Sequence, residues 1–66
     1  MIELNGKPRP LPEEPTLAAL LAAAGTEAHG TIIELNGEVV APGVDPQSVT
    51  LRDGDRLHLF RIVAGG

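Results

Sequence analysis

Cysteine, tryptophan and tyrosine are all absent from this chain of 66 residues, and Phe60 is its one phenylalanine. Without cysteine there is no disulfide staple, no thiolate zinc site and no cysteine nucleophile. Any sulfur or acyl chemistry must therefore run through another group. Basic residues are few: Lys7 and four arginines stand against nine acids, giving a net charge of −4 with the histidines neutral. A nucleic-acid binder needs a basic stripe and often stacking aromatics, and this chain offers neither. No apolar run approaches the roughly 18 residues of a membrane span. Met1 leads directly into Ile2-Glu3-Leu4 instead of a basic, apolar, small-residue leader. Together these absences predict a soluble cytoplasmic protein. The chain is also short. Domains of this size bury only about 60% of the surface exposed on unfolding, so the core is thin and leaves little room for an enclosed active site.

What the chain does contain is strong turn chemistry. Ile2-Glu3-Leu4 alternates apolar and polar residues and is followed by Asn5-Gly6; the same tetrad, Glu-Leu-Asn-Gly, returns at 34–37. Asn-Gly is a strong hairpin signal because both central residues of a type I′ turn take positive φ. The flanking residues differ, so the repeat reads as two similar turns and not as a duplicated domain. The second strand is expected over Lys7 to Pro12, with prolines at 8, 10 and 12. Backbone N–H groups alternate in direction along a strand, so these three losses fall on one side and place the strand at a sheet edge.

Thr16 through Ala24 reads as a helix. Thr16 suits the N-cap, Glu13 and Glu14 lie near the positive end of its dipole, and Gly25 suits the position after the C-cap. Leu17, Leu20, Leu21 and Ala24 recur at the spacing of one buried face, and the intervening alanines favour helix. After a polar connection come Thr31-Ile32-Ile33-Glu34-Leu35, the second Asn-Gly turn and Glu38-Val39-Val40. Ala41-Pro42-Gly43 breaks the chain, Asp45-Pro46 opens one helical turn, and Asp53-Gly54-Asp55 turns into a last strand over residues 56–62. This order predicts an α+β domain with one sheet packed on one helix. Its core is expected to hold Leu4, Leu17, Leu20, Leu21, Ile33, Leu35, Leu57 and Leu59.

In the last strand Leu57 and Leu59 point one way, and His58, Phe60 and Ile62 the other. If the leucines meet the helix, the second set lies on the open face as an apolar docking patch. Behind it the chain ends in Val63-Ala64-Gly65-Gly66. A glycine pair threads narrow channels and reaches backbone angles closed to other residues. Other chemistry has little support. His29 and His58 form no metal-ligand spacing, Asp53 and Asp55 are explained by their turn, and there is neither a Ser/His/Asp order nor a phosphate-binding glycine loop.

The ending Gly54-Asp55-x-Leu57-x-Leu59-Phe60-x-x-Val63-Ala64-Gly65-Gly66 is similar to that of the ThiS sulfur carriers of thiamin biosynthesis. The similarity extends to a strand starting at the second residue, Thr16 opening a leucine-bearing helix, and the Asn36 turn. The molybdopterin carriers tend to be longer, with prolines before the glycines where this chain has Arg61-Ile62. The Pro8, Pro10 and Pro12 series departs from the family pattern.

The resemblance implies a ubiquitin-like β-grasp with a mixed four- to five-stranded sheet on one helix. The domain would span 1–62, and 63–66 would form a flexible tail needing no processing. It also implies a carrier and not an enzyme. An E1-like adenylyltransferase of the ThiF type would use ATP to adenylate the Gly66 carboxylate. A persulfide, supplied by a cysteine desulfurase or another donor, would then convert it to a thiocarboxylate for a ThiG-type thiazole synthase. Gly66 is then the reacting residue and Gly65 the flexible arm, with His58, Phe60, Ile62, Val63 and Ala64 meeting partners. No cofactor or metal would be bound. The same tail would serve a carrier for molybdopterin or tRNA thiolation, or a lysine-linked tag. A ubiquitin-like binding module without tail chemistry is the reading from another class.

Overall fold

Two Asn-Gly turns organise the sheet in the computed structural model, which describes residues 1–62. Strands β1 (Ile2–Leu4) and β2 (Lys7–Arg9) form the first hairpin, closed by the pair Leu4 and Lys7. Strands β3 (Thr31–Leu35) and β4 (Glu38–Val39) form the second, closed by Leu35 and Glu38. Asn5 and Gly6 have φ of 51° and 82°, and Asn36 and Gly37 have 53° and 84°. These are the positive angles a type I′ turn requires.

Strand β5 (Arg56–Arg61) runs up the middle, and the sheet order is β2-β1-β5-β3-β4. It pairs parallel with β1 and antiparallel with β3. The sheet is therefore mixed and five-stranded.

β2 lies at the edge, as the prolines require, but it is shorter than the expected run to Pro12. Arg9 already pairs with Ile2, the first residue of β1, so the ladder has nothing further to pair with beyond it. Pro8 sits opposite Glu3, whose N–H donates away from β2 to the Asp55 carbonyl at 2.9 Å. Such an antiparallel pair exchanges no backbone bonds, so the missing N–H of Pro8 costs the hairpin nothing and leaves the outer edge short of a donor.

Helix α1 (Leu17–Ala23) is bounded much as expected. The Thr16 hydroxyl accepts from the Ala19 N–H at 3.1 Å. At the other end the N–H of Thr26 reaches the Leu21 carbonyl at 2.9 Å and that of Gly25 the Ala22 carbonyl at 3.1 Å. Gly25 has φ +68°, and the two bonds form a Schellman cap. Glu13 and Glu14 fall before the cap, and the first turn itself carries no acid. Arg9 from β2 donates to the Ala23 carbonyl at 3.1 Å, tying the edge strand to the negative end of the helix.

Leu17, Leu20 and Leu21 pack against Ile2, Ile33, Leu51 and Leu57 to make the buried core. Leu4, Leu35, Leu59 and Val40 are partly buried around it. Leu4, Leu35 and Leu59, expected in the core, pack against it as a partly buried rim. Ile2 and Leu51 take the central places instead. Leu51 is brought in by a short pairing beside the helix start. Its N–H donates to the Pro15 carbonyl at 2.7 Å, and the Leu17 N–H donates to the Val49 carbonyl at 2.9 Å. The second bond satisfies one of the helix's orphan N-terminal donors. A 3₁₀ turn over Pro46–Ser48, capped by the Asp45 carboxylate, leads into this segment. Among the described residues no helix is long and apolar enough to cross a membrane.

Candidate functional site

The site is built on β5, which is held along both sides, so its residues have little freedom in register. Leu57 faces the helix and is 1% exposed. Alternation then turns His58 and Phe60 to the open face of the sheet. Phe60 is 47% exposed and stands opposite Ile32, which is 42% exposed. The His58 and Phe60 rings stack at 6.2 Å with an interplanar angle of 17°. His58 is opposite Glu34, and Glu34 is opposite Val39 on the outer strand.

Ile62 follows the strand. Its N–H donates to the Gly30 carbonyl at 2.9 Å, which carries the pairing one residue past β5. Its side chain is exposed and shares a shallow hollow with Ile32, Val39 and Val44. The three expected docking residues within the described chain, His58, Phe60 and Ile62, are therefore all exposed and follow one alternation. Val63, Ala64, Gly65 and Gly66 lie outside the described residues, as does the expected 63–66 tail.

Ile32, Val39 and Val44 enlarge this apolar patch and were not singled out from the sequence. The signal was present in Thr31-Ile32-Ile33, where only one of two adjacent isoleucines can face the core. Arg56 and Glu3 lie at the lower end of the same face, 3.8 Å apart. Both are solvent-exposed, so the pair contributes little stability.

Two turn residues also hold β5 with their side chains. The Asn5 Oδ1 accepts from the Leu59 N–H at 2.9 Å, and the Asn5 N–H donates to the Leu57 carbonyl at 2.9 Å. The carboxamide thus stands in for the next strand residue where β1 has turned away. Asn36 does the equivalent from the other side. Its N–H donates to the Arg56 carbonyl at 2.8 Å, its Oδ1 accepts from the Arg56 N–H at 2.9 Å, and its Nδ2 donates to Asp55 at 3.0 Å. Asp55 also accepts from the Arg52 N–H at 2.8 Å, closing the turn before β5. Asp55 is therefore a structural turn residue, and Asp53 pairs instead with the Met1 ammonium group. Among the described residues no three His, Asp or Glu side chains are grouped as metal ligands.

The model of the ThiS family matches residues 2–66. The chain belongs to the ThiS family. It is similar to the thiamine biosynthesis protein ThiS from Geobacter metallireducens, known from a crystal structure, with a TM-score of 0.77 and 29% identity. That alignment covers 98% of this chain and 97% of the other. The five-stranded sheet and single helix are thus the β-grasp of a ThiS protein. No curated protein matches the chain. ThiS proteins are carriers and not enzymes, and membership implies a sulfur-carrier role in thiamine biosynthesis, with partners of the ThiF and ThiG type in general.

Proposed function

We propose that this ThiS protein carries sulfur on the Gly66 carboxylate as a thiocarboxylate and donates it for assembly of the thiamin thiazole. The observation that carries the reading is the family match running through residue 66, so that Gly65 and Gly66 fall inside the matched span. The docking face supports it: Phe60, Ile32 and Ile62 are exposed apolar side chains on the strand pair that leads towards those glycines. The setting is the cytoplasm.

The chemistry follows from the weakness of a carboxylate as an electrophile. An E1-like adenylyltransferase of the ThiF type binds ATP, and a Gly66 oxygen attacks the α-phosphorus, expelling pyrophosphate. The acyl-adenylate then has a good leaving group. The terminal sulfur of a persulfide, charged by a cysteine desulfurase or another donor, displaces AMP. A second thiol on the donor side cleaves the S–S bond and leaves the thiocarboxylate, which a ThiG-type thiazole synthase consumes. All catalytic groups sit on the partners. The chain supplies a reacting carboxyl, the slender Gly65 arm, and contacts from His58, Phe60, Ile62, Val63 and Ala64. The chain itself binds no cofactor; ATP belongs to the activating partner.

The test compares the chain with a variant extended by one residue after Gly66, each given the adenylyltransferase, ATP and a sulfur donor. One residue displaces the reacting atom by roughly 3.3–3.6 Å, and misplacement by even 1 Å can cost on the order of a hundredfold in rate. The extended chain should fail to gain sulfur. Full transfer to the extended chain without trimming would overturn Gly66 as the acceptor, and failure of both chains to gain sulfur while the adenylyltransferase turns over would favour a binding module whose tail has no chemistry.

A further inference from the structure

The two Asn-Gly turns share a dipeptide but not an environment, and the difference bears on a chemical modification. In such a dipeptide the glycine nitrogen can attack the asparagine Cγ. A C–N bond forms, the Cγ–Nδ2 bond breaks, and ammonia leaves with the proton lost by the glycine nitrogen. Water then opens the cyclic imide to aspartate or isoaspartate. The sum is amide plus water to carboxylate plus ammonium, with no redox change.

We propose that Asn5 is the residue at which the folded chain deamidates, and that Asn36 is protected by its contacts with β5 and Asp55. Ring closure needs the carboxamide to swing free. For Asn5 this breaks one side-chain bond, the one accepted from the Leu59 N–H. For Asn36 it breaks two, and one of them is donated to a carboxylate. The electrostatics act the same way. Attack places negative charge on the glycine nitrogen and on Oδ1. Around Asn5 the neighbouring hollow is lined by Lys7 and Arg9, which favour that charge. Around Asn36 the neighbouring hollow is lined by one acid, Glu34, and one arginine, Arg56, and the Asp55 carboxylate 3.0 Å from the amide nitrogen adds the negative charge that opposes attack.

The products differ as well. An aspartate at position 5 keeps an oxygen acceptor for the Leu59 N–H, and a charged acceptor makes a stronger bond. An aspartate at position 36 loses the donor to Asp55 and sets two carboxylates against each other. The fold thus directs the reaction to the site where its normal-peptide product is tolerated.

The experiment incubates the full folded chain at mildly alkaline pH and body temperature. Peptide mapping by mass spectrometry follows amide loss at each site. Asn5 should react about tenfold faster than Asn36, the factor expected for one additional charge-assisted hydrogen bond. In denaturant the two rates should converge. Asp55→Asn, which removes the charge, should accelerate Asn36 and leave Asn5 unchanged. Equal rates in the folded chain, a faster Asn36, or equal acceleration of both sites by Asp55→Asn would each overturn the proposal. As a second readout, Asn5→Asp should melt with the parent and Asn36→Asp below it; the reverse order would also overturn it.

Discussion

Leu57 and Phe60 lie three residues apart on one strand and face opposite ways, so replacing each by alanine separates stability from docking. Leu57 is 1% exposed at the centre of the core. Removing a buried leucine side chain costs about 2–5 kcal/mol. A chain of 66 residues has a net stability of only about 3–10 kcal/mol. Leu57→Ala should therefore lower the melting temperature by about 10 °C or more, at about 4–8 °C per kcal/mol, or abolish cooperative unfolding. Phe60 is 47% exposed and its neighbour across the sheet is Ile32. Its loss forfeits chiefly a cross-strand pair worth about 0.2–1 kcal/mol, which lowers the melting temperature by about 8 °C at most. If Phe60 anchors the activating enzyme, truncation should cost about 1–2 kcal/mol of binding, equivalent to about a 5- to 30-fold rise in the carrier concentration needed. Thermal unfolding by circular dichroism reads the first quantity. Carrier-dependent exchange between ATP and pyrophosphate on the adenylyltransferase reads the second. A Phe60→Ala variant that melts as low as Leu57→Ala would refute the face assignment, and one that supports exchange at the parent concentration would refute the docking role.

Three further substitutions test how the fold holds β5 and the helix. Thr16→Ala removes the side-chain acceptor of the Ala19 N–H and should destabilise the chain by about 0.5–2 kcal/mol, measured by urea denaturation; no change in midpoint would show that the Val49 and Pro15 contacts alone set the helix start. Gly37→Ala meets nothing within 4 Å, so its expected cost of about 1–2 kcal/mol comes from the positive φ alone, and Gly37→Asn should recover part of it. Asn36→Ala removes the side-chain acceptor of the solvent-exposed Arg56 N–H and should cost about 0.5–1.5 kcal/mol, with faster amide exchange at Arg56 by NMR.

What was legible in the sequence was local. The Asn-Gly dipeptides announce their own φ angles, Thr16 and Gly25 announce the helix ends, and alternating prolines announce an edge strand. The alternation of β5 was enough to separate Leu57 from His58 and Phe60. What was not legible depended on distant partners. Leu51 enters the core because residues 49–51 pair beside Pro15 and Leu17, and no periodic pattern in that segment reveals it. The truncation of β2 depends on where β1 begins. Asn5 and Asn36 read as turn residues, and their second task, bonding the backbone of a strand 20 to 54 positions away, appears only when β5 is seated between the hairpins. The exposed apolar patch is half visible in the sequence for the same reason: Phe60 follows from its own strand, whereas Ile32 and Val39 join it only through the register.

The central claim is that sulfur is carried at Gly66, and intact-mass spectrometry with fragmentation tests it most directly. The chain is incubated with ATP, a ThiF-type adenylyltransferase and a persulfide donor. The account predicts a mass gain equal to one oxygen replaced by one sulfur, mapped by fragmentation to the last residue, absent without ATP and absent when Gly66 is deleted. Gly65→Ala should slow the gain, since it adds a methyl group and restricts φ in the arm. An unchanged mass under conditions where the adenylyltransferase turns over, or sulfur found on any residue other than Gly66, would contradict the account.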